Sequence, residues 1–152
     1  MFDFLTILLE NAYLSLFINS FLASTLLPLG SEGILAYFIS QKLNIFVMVL
    51  IATTGNYLGS VVNYYIGLKR SKTILHKFIK FDNNEIKKSK EKFRKFGPAI
   101  LFFSWIPIIG DPLTFVAGLL KYDFRKFTIY VLLGKAFRYI LVVLITFNVL
   151  SL

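Results

Sequence analysis

Trp105-Ile106-Pro107-Ile108-Ile109-Gly110-Asp111-Pro112 lies inside a stretch apolar enough to enter a bilayer, and Leu26-Leu27-Pro28-Leu29-Gly30-Ser31-Glu32-Gly33 does the same in the first half of the chain. Each puts a proline, a glycine and then a carboxylate where a spanning helix would be continuous. Hydrocarbon tolerates broken backbone only where protein or a water-filled cavity covers it. A charge at the bilayer centre costs from about 2.5 to above 10 kcal/mol, so an acid kept there marks a function. Paired, interrupted segments in the two halves of a membrane protein point to a transport site.

Working outward, the two breaks belong to a repeat with an offset of 79. Pro28 maps to Pro107, Glu32 to Asp111, Lys42 to Lys121, Asn44 to Asp123, Gly55 to Gly134, and Asn56 to Lys135. Each half begins with a broken apolar stretch, residues 12–40 and 97–120. A short polar turn follows, and then a long unbroken helix over 45–68 or 127–150. Two dozen helical residues reach roughly 35 Å, enough to cross with some tilt. The arms of the broken stretches are too short to cross, which predicts re-entrant hairpins. A kinked spanning helix is the rival for each, and in the first half residues 4–29 are long enough to cross alone.

One hairpin plus one crossing is an odd number of passages, so the second repeat is expected upside down relative to the first. The expected fold is an all-α integral membrane domain over 1–152. Its parts are a first repeat (1–68), a basic amphipathic connector (69–96) and a second repeat (97–152). Between Lys69 and Lys95 eleven basic residues face only Asp82, Glu85 and Glu91. The positive-inside rule then puts this connector in the cytoplasm and both termini outside. Ile86, Phe93 and Phe96 recur at helical spacing among the lysines, as do Ile74, Leu75, Phe78 and Ile79 upstream. Asp82-Asn83-Asn84-Glu85 resembles a capping box. The pattern suits docking on anionic lipid head groups, with a plain solvated linker as the bland alternative.

Composition agrees. The 152 residues are 57% hydrophobic and only 16% charged, with a mean hydropathy of +0.70. A soluble domain carries about a quarter charged residues. The net charge of +9 could suit nucleic acid, but the apolar flanks decide for the membrane. There are no cysteines, so thiolate metal sites are excluded. His76 is the only histidine and reads as a surface residue, which removes a Ser–His catalytic set. No glycine-rich phosphate loop or nucleophile–base pair stands out; no enzyme activity, cofactor or metal is expected. Met1-Phe2-Asp3-Phe4 lacks a basic region, so no cleavable signal is expected.

Glu32 and Asp111 are the first candidates, as proton-exchanging carboxylates whose burial favours the protonated form. The bland alternative makes them solvent-facing tips or helix caps. Lys135 and Arg138, one turn apart in the second long helix, are candidates to hold an anion or to act as counter-ions. A purely structural pairing with Glu32 or Asp111 stays open. Pro28, Gly30, Pro107, Gly110 and Pro112 make the hairpin breaks. Asn56, Ser60 and Asn63 share a face of the first long helix, as a polar cavity wall or as close-packing contacts. Trp105 and the tyrosines read as interface anchors.

These stretches, with Gly55-Asn56-x-x-Gly59, Asn63-Tyr64, Gly67, Phe103-Ser104, Ala117-Gly118 and Gly134, resemble the DedA superfamily (SNARE-associated or VTT domain), and more closely its YqaA branch. The resemblance covers nearly the whole chain. It implies a bacterial inner-membrane, multi-pass protein with two opposed re-entrant hairpins. It also implies transport of lipids, including a phosphorylated polyprenyl carrier, in some members driven by proton motive force. Glu32 matches the family's essential glutamate. The chain departs from the commoner pattern at Ser104 and Gly110, where arginines flank the second proline, and at Asn56, where the Gly-Asp motif has its acid. A phosphate role for those arginines therefore does not carry over. The expected function is a transporter or flippase of an anionic lipid or similar small anion, with protons and anionic head groups as partners and a possible homodimer. The alternative is a non-transporting membrane scaffold docking through its lysine-rich helix.

Overall fold

The computed structural model describes residues 11–25, 31–41, 43–73, 83–107 and 109–150. Among the described residues there are six α-helices, one 3-10 turn and no strand. They are α1 (Ala12–Thr25), α2 (Ser31–Ser40), α3 (Ile45–Thr73), α4 (Asn83–Phe102), the 3-10 turn (Phe103–Trp105), α5 (Gly110–Leu119) and α6 (Phe124–Leu150). Pro28, Gly30, Lys42, His76, Asp82 and the upstream pattern Ile74, Leu75, Phe78 and Ile79 lie outside the described residues.

Two of these helices, α3 and α6, are long and apolar enough to cross a membrane, over Ile45–Lys69 and Phe124–Val149. Both exceed the expected bounds. Each starts at a side-chain cap: Asn44 Oδ1 accepts the Val47 N–H (3.2 Å), and Asp123 Oδ1 accepts the Lys126 N–H (2.9 Å). Such caps satisfy otherwise orphaned donors and are worth about 1 kcal/mol each. The sequence match between Asn44 and Asp123 is thus a match between two helix starts.

The chain groups into two compact units. One comprises Met1–Gly59 with Ala136–Leu152, and the other Ser60–Lys135. In the first, α1 and α2 pack with the opening of α3 and the end of α6. Its core joins Leu16, Leu35, Phe38, Ile39, Met48, Ala52 and Tyr139. The helices are inside-out by soluble standards. The buried stripe of α1 is Ala12, Leu16, Ser20 and Ser24, whereas Tyr13, Leu14, Ile18 and Leu22 are exposed. Along α3 the buried set includes Ala52, Thr53, Asn56, Ser60 and Asn63, while Phe46, Leu50, Leu58, Val62 and Ile66 face outward. Water would drive the large apolar groups inside. Lipid does not, and small or polar residues then gather between helices. Gly55 shows the close approach: a Cβ there would lie 2.6 Å from the Phe17 carbonyl oxygen.

In the second unit α4 carries exposed Lys87, Lys88, Lys90, Lys92, Arg94 and Lys95, and buries Phe93, Gly97 and Leu101 one turn apart. Phe96 is exposed, with the Lys95 ammonium 5.4 Å from its ring centre. The i, i+4 step from Phe93 selects Gly97 and leaves Phe96 on the rim. The expected boundary at Gly97 is not a helix break, since α4 runs through Pro98. Proline disfavours helix at the preceding residue partly through that residue's Cβ, and Gly97 has none. The chain then tightens into the 3-10 turn, bends at Ile106-Pro107 and restarts as α5.

After α5 the turn is closed by Lys121 at φ 56°. The Lys121 and Tyr122 N–H groups donate back to Gly118 and Ala117 carbonyls (both 2.9 Å). Tyr122 sits under Phe93, with ring centres 5.2 Å apart, and its carbonyl accepts the Tyr64 hydroxyl at 2.5 Å. Tyr64 also lies against Phe127, ring centres 4.7 Å apart. Burial pushes the Tyr122 phenol above its ordinary value, helped by Tyr130 and Asp123.

Candidate functional site

Both candidate acids stand in the first turn of a short helix, Glu32 in α2 and Asp111 in α5. A carboxylate there meets the positive end of the helix dipole, worth about 0.3–1 kcal/mol when exposed. Pro112 follows Asp111 within that turn, where a missing N–H costs nothing. Gly110 is buried so tightly that a Cβ would lie 2.6 Å from the Ser104 carbonyl carbon. Its N–H donates to the Ile106 carbonyl (2.8 Å), and that of Ile109 to the Pro107 carbonyl (2.8 Å). Proline, glycine and proline thus bend the chain and bring Asp111 to the start of a new helix.

Each acid meets a cation of α6. In the second unit Lys135 Nζ donates to Asp111 Oδ1 at 2.8 Å. The Lys135 side chain is 0% exposed and that of Asp111 is 23% exposed. Thr114, one turn further along α5, donates its hydroxyl to the Asp111 carbonyl (2.6 Å) and accepts from Asn63 Nδ2 of α3 (3.4 Å). In the first unit Arg138 pairs with Glu32, with side chains 12% and 30% exposed. The neighbouring residues form a second bridge, Ser31 Oγ to Tyr139 hydroxyl at 2.9 Å. Asn56 Nδ2 of α3 donates to the same hydroxyl and to the Ser20 carbonyl, both at 3.1 Å.

The four charged candidates therefore form two separate pairs, three residues apart along α6 but each with its own acid. Arginine and carboxylate match as planar forks, while lysine offers a compact point charge. The more open Glu32–Arg138 pair suits exchange with an anion such as a phosphate. The three candidate polar residues of α3 are buried: Asn56 and Ser60 fully, Asn63 at 8% exposed. The bonds of Asn56 and Asn63 run to neighbouring helices. Ser31, Thr114 and Tyr139 were absent from the sequence-based candidates. Their only signal is position, beside an acid or a cation or one turn from it.

A family model for the VTT domain matches residues 27–148. The chain belongs to the VTT-domain (DedA) family, in its YqaA-like branch. It is 35% identical over 133 residues to the inner membrane protein YqaA of Escherichia coli, covering 84% of this chain and 86% of that one. An uncharacterized protein of Haemophilus influenzae is 33% identical over 140 residues, with 86% and 84% covered. Undecaprenyl phosphate transporter A of Staphylococcus aureus is 28% identical over 134 residues, with 80% and 66% covered. No solved structure matches the chain. This VTT-domain protein is a helical protein of the bacterial inner membrane, from a family with a named transporter among its members.

Proposed function

We propose that this protein carries an anionic lipid, or a similar small anion, across the inner membrane, with Arg138 as the anion-holding group and Glu32 as its occupant when no ligand is bound. The observation that carries the reading is the pairing of each first-turn acid with a cation of α6, a helix long and apolar enough to cross a membrane. Such groups are costly in lipid and are kept for pathways and relays. The named Staphylococcus relative points to a phosphorylated polyprenyl lipid as the cargo class. Glu32 and Asp111 take up and release protons as their cations are engaged and freed, which couples movement to a proton gradient. Asn56, Ser60 and Asn63 line the polar path.

The architecture we propose is two inverted repeats, each a re-entrant hairpin and one crossing, within a single membrane domain. Helix lengths support it. The 14 residues of α1 and the 10 of α2 and of α5 extend about 21, 15 and 15 Å, against about 30 Å of hydrocarbon. The repeat's matched positions support it too, with Asn44 and Asp123 both caps and Asn56 and Lys135 both fully buried. The lysine-rich face of α4 lies on the cytoplasmic surface against anionic head groups, both termini lie outside, and two copies pair through exposed apolar helix faces. A reporter fused after Leu152 that reads cytoplasmic refutes this orientation.

The functional test is transport of a fluorescent polyprenyl phosphate in vesicles with an imposed proton gradient. Glu32→Gln and Asp111→Asn are expected to abolish the gradient's effect, and Arg138→Ala to abolish transport. Unchanged rates in all three refute the reading. The exposed lysines of α4 favour one rival, a non-transporting scaffold. It wins if neutralising Lys87, Lys88, Lys90 and Lys92 abolishes function while the acid variants retain it.

A further inference from the structure

The two acid–base pairs are built differently. In the second unit the surroundings of Asp111 and Lys135 are set by backbone packing. Gly110 is pressed on Ser104, and a Cβ on Gly134, the residue before Lys135, would meet the Phe102 carbonyl carbon at 3.3 Å and Ser104 Oγ at 3.3 Å. Lys135 is wholly buried. The Thr114 hydroxyl is bonded within α5 and to α3.

In the first unit the corresponding place holds side-chain hydrogen bonds. Ser31 precedes Glu32, and Tyr139 follows Arg138, so the hydroxyl bridge and the ion pair join the same two helices at adjacent residues. Tyr139 is fully buried and, among the described residues, is the largest side chain to be so. Its hydroxyl accepts from Asn56 Nδ2. With one lone pair so engaged, its proton is free to point at Ser31 Oγ. One phenol thus ties the first turn of α2 to α3 and α6.

We infer that Tyr139 is a positioning residue that latches Glu32 onto Arg138 and so sets how readily an anion displaces that carboxylate. The inference rests on the proposed anion role of Arg138 and adds a gate to it. A ligand that takes Arg138 must move Glu32 away, and Glu32 moves with Ser31. The Tyr139–Ser31 bond is therefore lost when the site opens, and its strength is subtracted from the apparent affinity. An ordinary intramolecular hydrogen bond shifts such an equilibrium by roughly three- to tenfold. Removing the latch makes the anion bind tighter, the reverse of what simple damage to a site would do.

The experiment measures binding of farnesyl phosphate, with farnesol as the uncharged control, to the full chain in nanodiscs. Tyr139→Phe and Ser31→Ala are each expected to tighten farnesyl phosphate binding about fivefold and to leave farnesol unchanged. The double variant is expected to match Tyr139→Phe, which by itself removes the bond to Ser31 together with the one from Asn56. Ser31→Ala is small for small and keeps the inference testable if Tyr139→Phe does not fold. If Arg138→Ala weakens binding while Tyr139→Phe and Ser31→Ala leave it unchanged or weaken it, the latch is refuted and the anion site stands. If Arg138→Ala binds as the native chain does, the anion site is refuted and the latch with it.

Discussion

Lys135 gives the sharpest energetic prediction, because the two members of its pair are unequally buried. Asp111→Asn removes the partner of an ammonium that is 0% exposed. Breaking a buried pair in this way costs about 3–5 kcal/mol, since the remaining charge cannot reach water. Lys135→Met leaves instead a carboxylate that is 23% exposed and sits at a helix start. Its loss should be nearer an unsatisfied polar group, about 1–3 kcal/mol. The double variant removes both charges and should lie close to Lys135→Met alone, so the coupling energy equals in size the whole cost of Asp111→Asn, about 3–5 kcal/mol. Trp105 is the single tryptophan and lies in the turn that precedes α5, so its fluorescence reports unfolding of this region in mixed micelles. A loss below about 1 kcal/mol for Asp111→Asn, or a larger loss for Lys135→Met than for Asp111→Asn, refutes the reasoning.

Other outcomes follow from packing. Gly118→Ala would place a methyl 2.7 Å from the Tyr64 carbonyl carbon; backbone cannot swing aside as a side chain can, so a loss of about 1–3 kcal/mol is expected in the same unfolding assay. Lys121→Gly should stabilise by about 1 kcal/mol, because glycine holds φ 56° without Cβ strain. Tyr64→Phe removes the bond to the Tyr122 carbonyl and should cost about 1–3 kcal/mol, measured by chemical unfolding. Changing Lys87, Lys88, Lys90 and Lys92 to Gln should weaken flotation with phosphatidylglycerol vesicles relative to neutral ones and leave the Trp105 unfolding midpoint in place.

Much of this was legible in the residues. The two helices long and apolar enough to cross came from unbroken apolar length, and the second break from Pro107, Gly110 and Pro112, because proline and glycine act on their own backbone. The match of Asn44 with Asp123 was visible as chemistry and proved to be a pair of caps. The pairing of charges was not legible. Arg138 and Lys135 are a turn apart on one helix, and either could meet either acid until the packing of α2 and α5 is known. Which apolar residue of α4 packs inside the protein was not legible either, because a hydrophobic count does not say which i, i+4 row lies against the neighbour: Phe93 is buried and Phe96 is not. Tyr139 escaped notice because a tyrosine in an apolar helix resembles any interface anchor until its hydroxyl is seen to be enclosed.

The unbroken passage of α4 through Gly97-Pro98 has a mechanical consequence. Twenty residues in one helix form a stick about 30 Å long, charged at one end and joined at the other to the bend that carries Asp111. A stick cannot lean at one end only. A lean of about 10° at the lysine-bearing end carries the far end through roughly 5 Å, close to one helical turn. Whatever grips the charged end, the bend before Asp111 feels it.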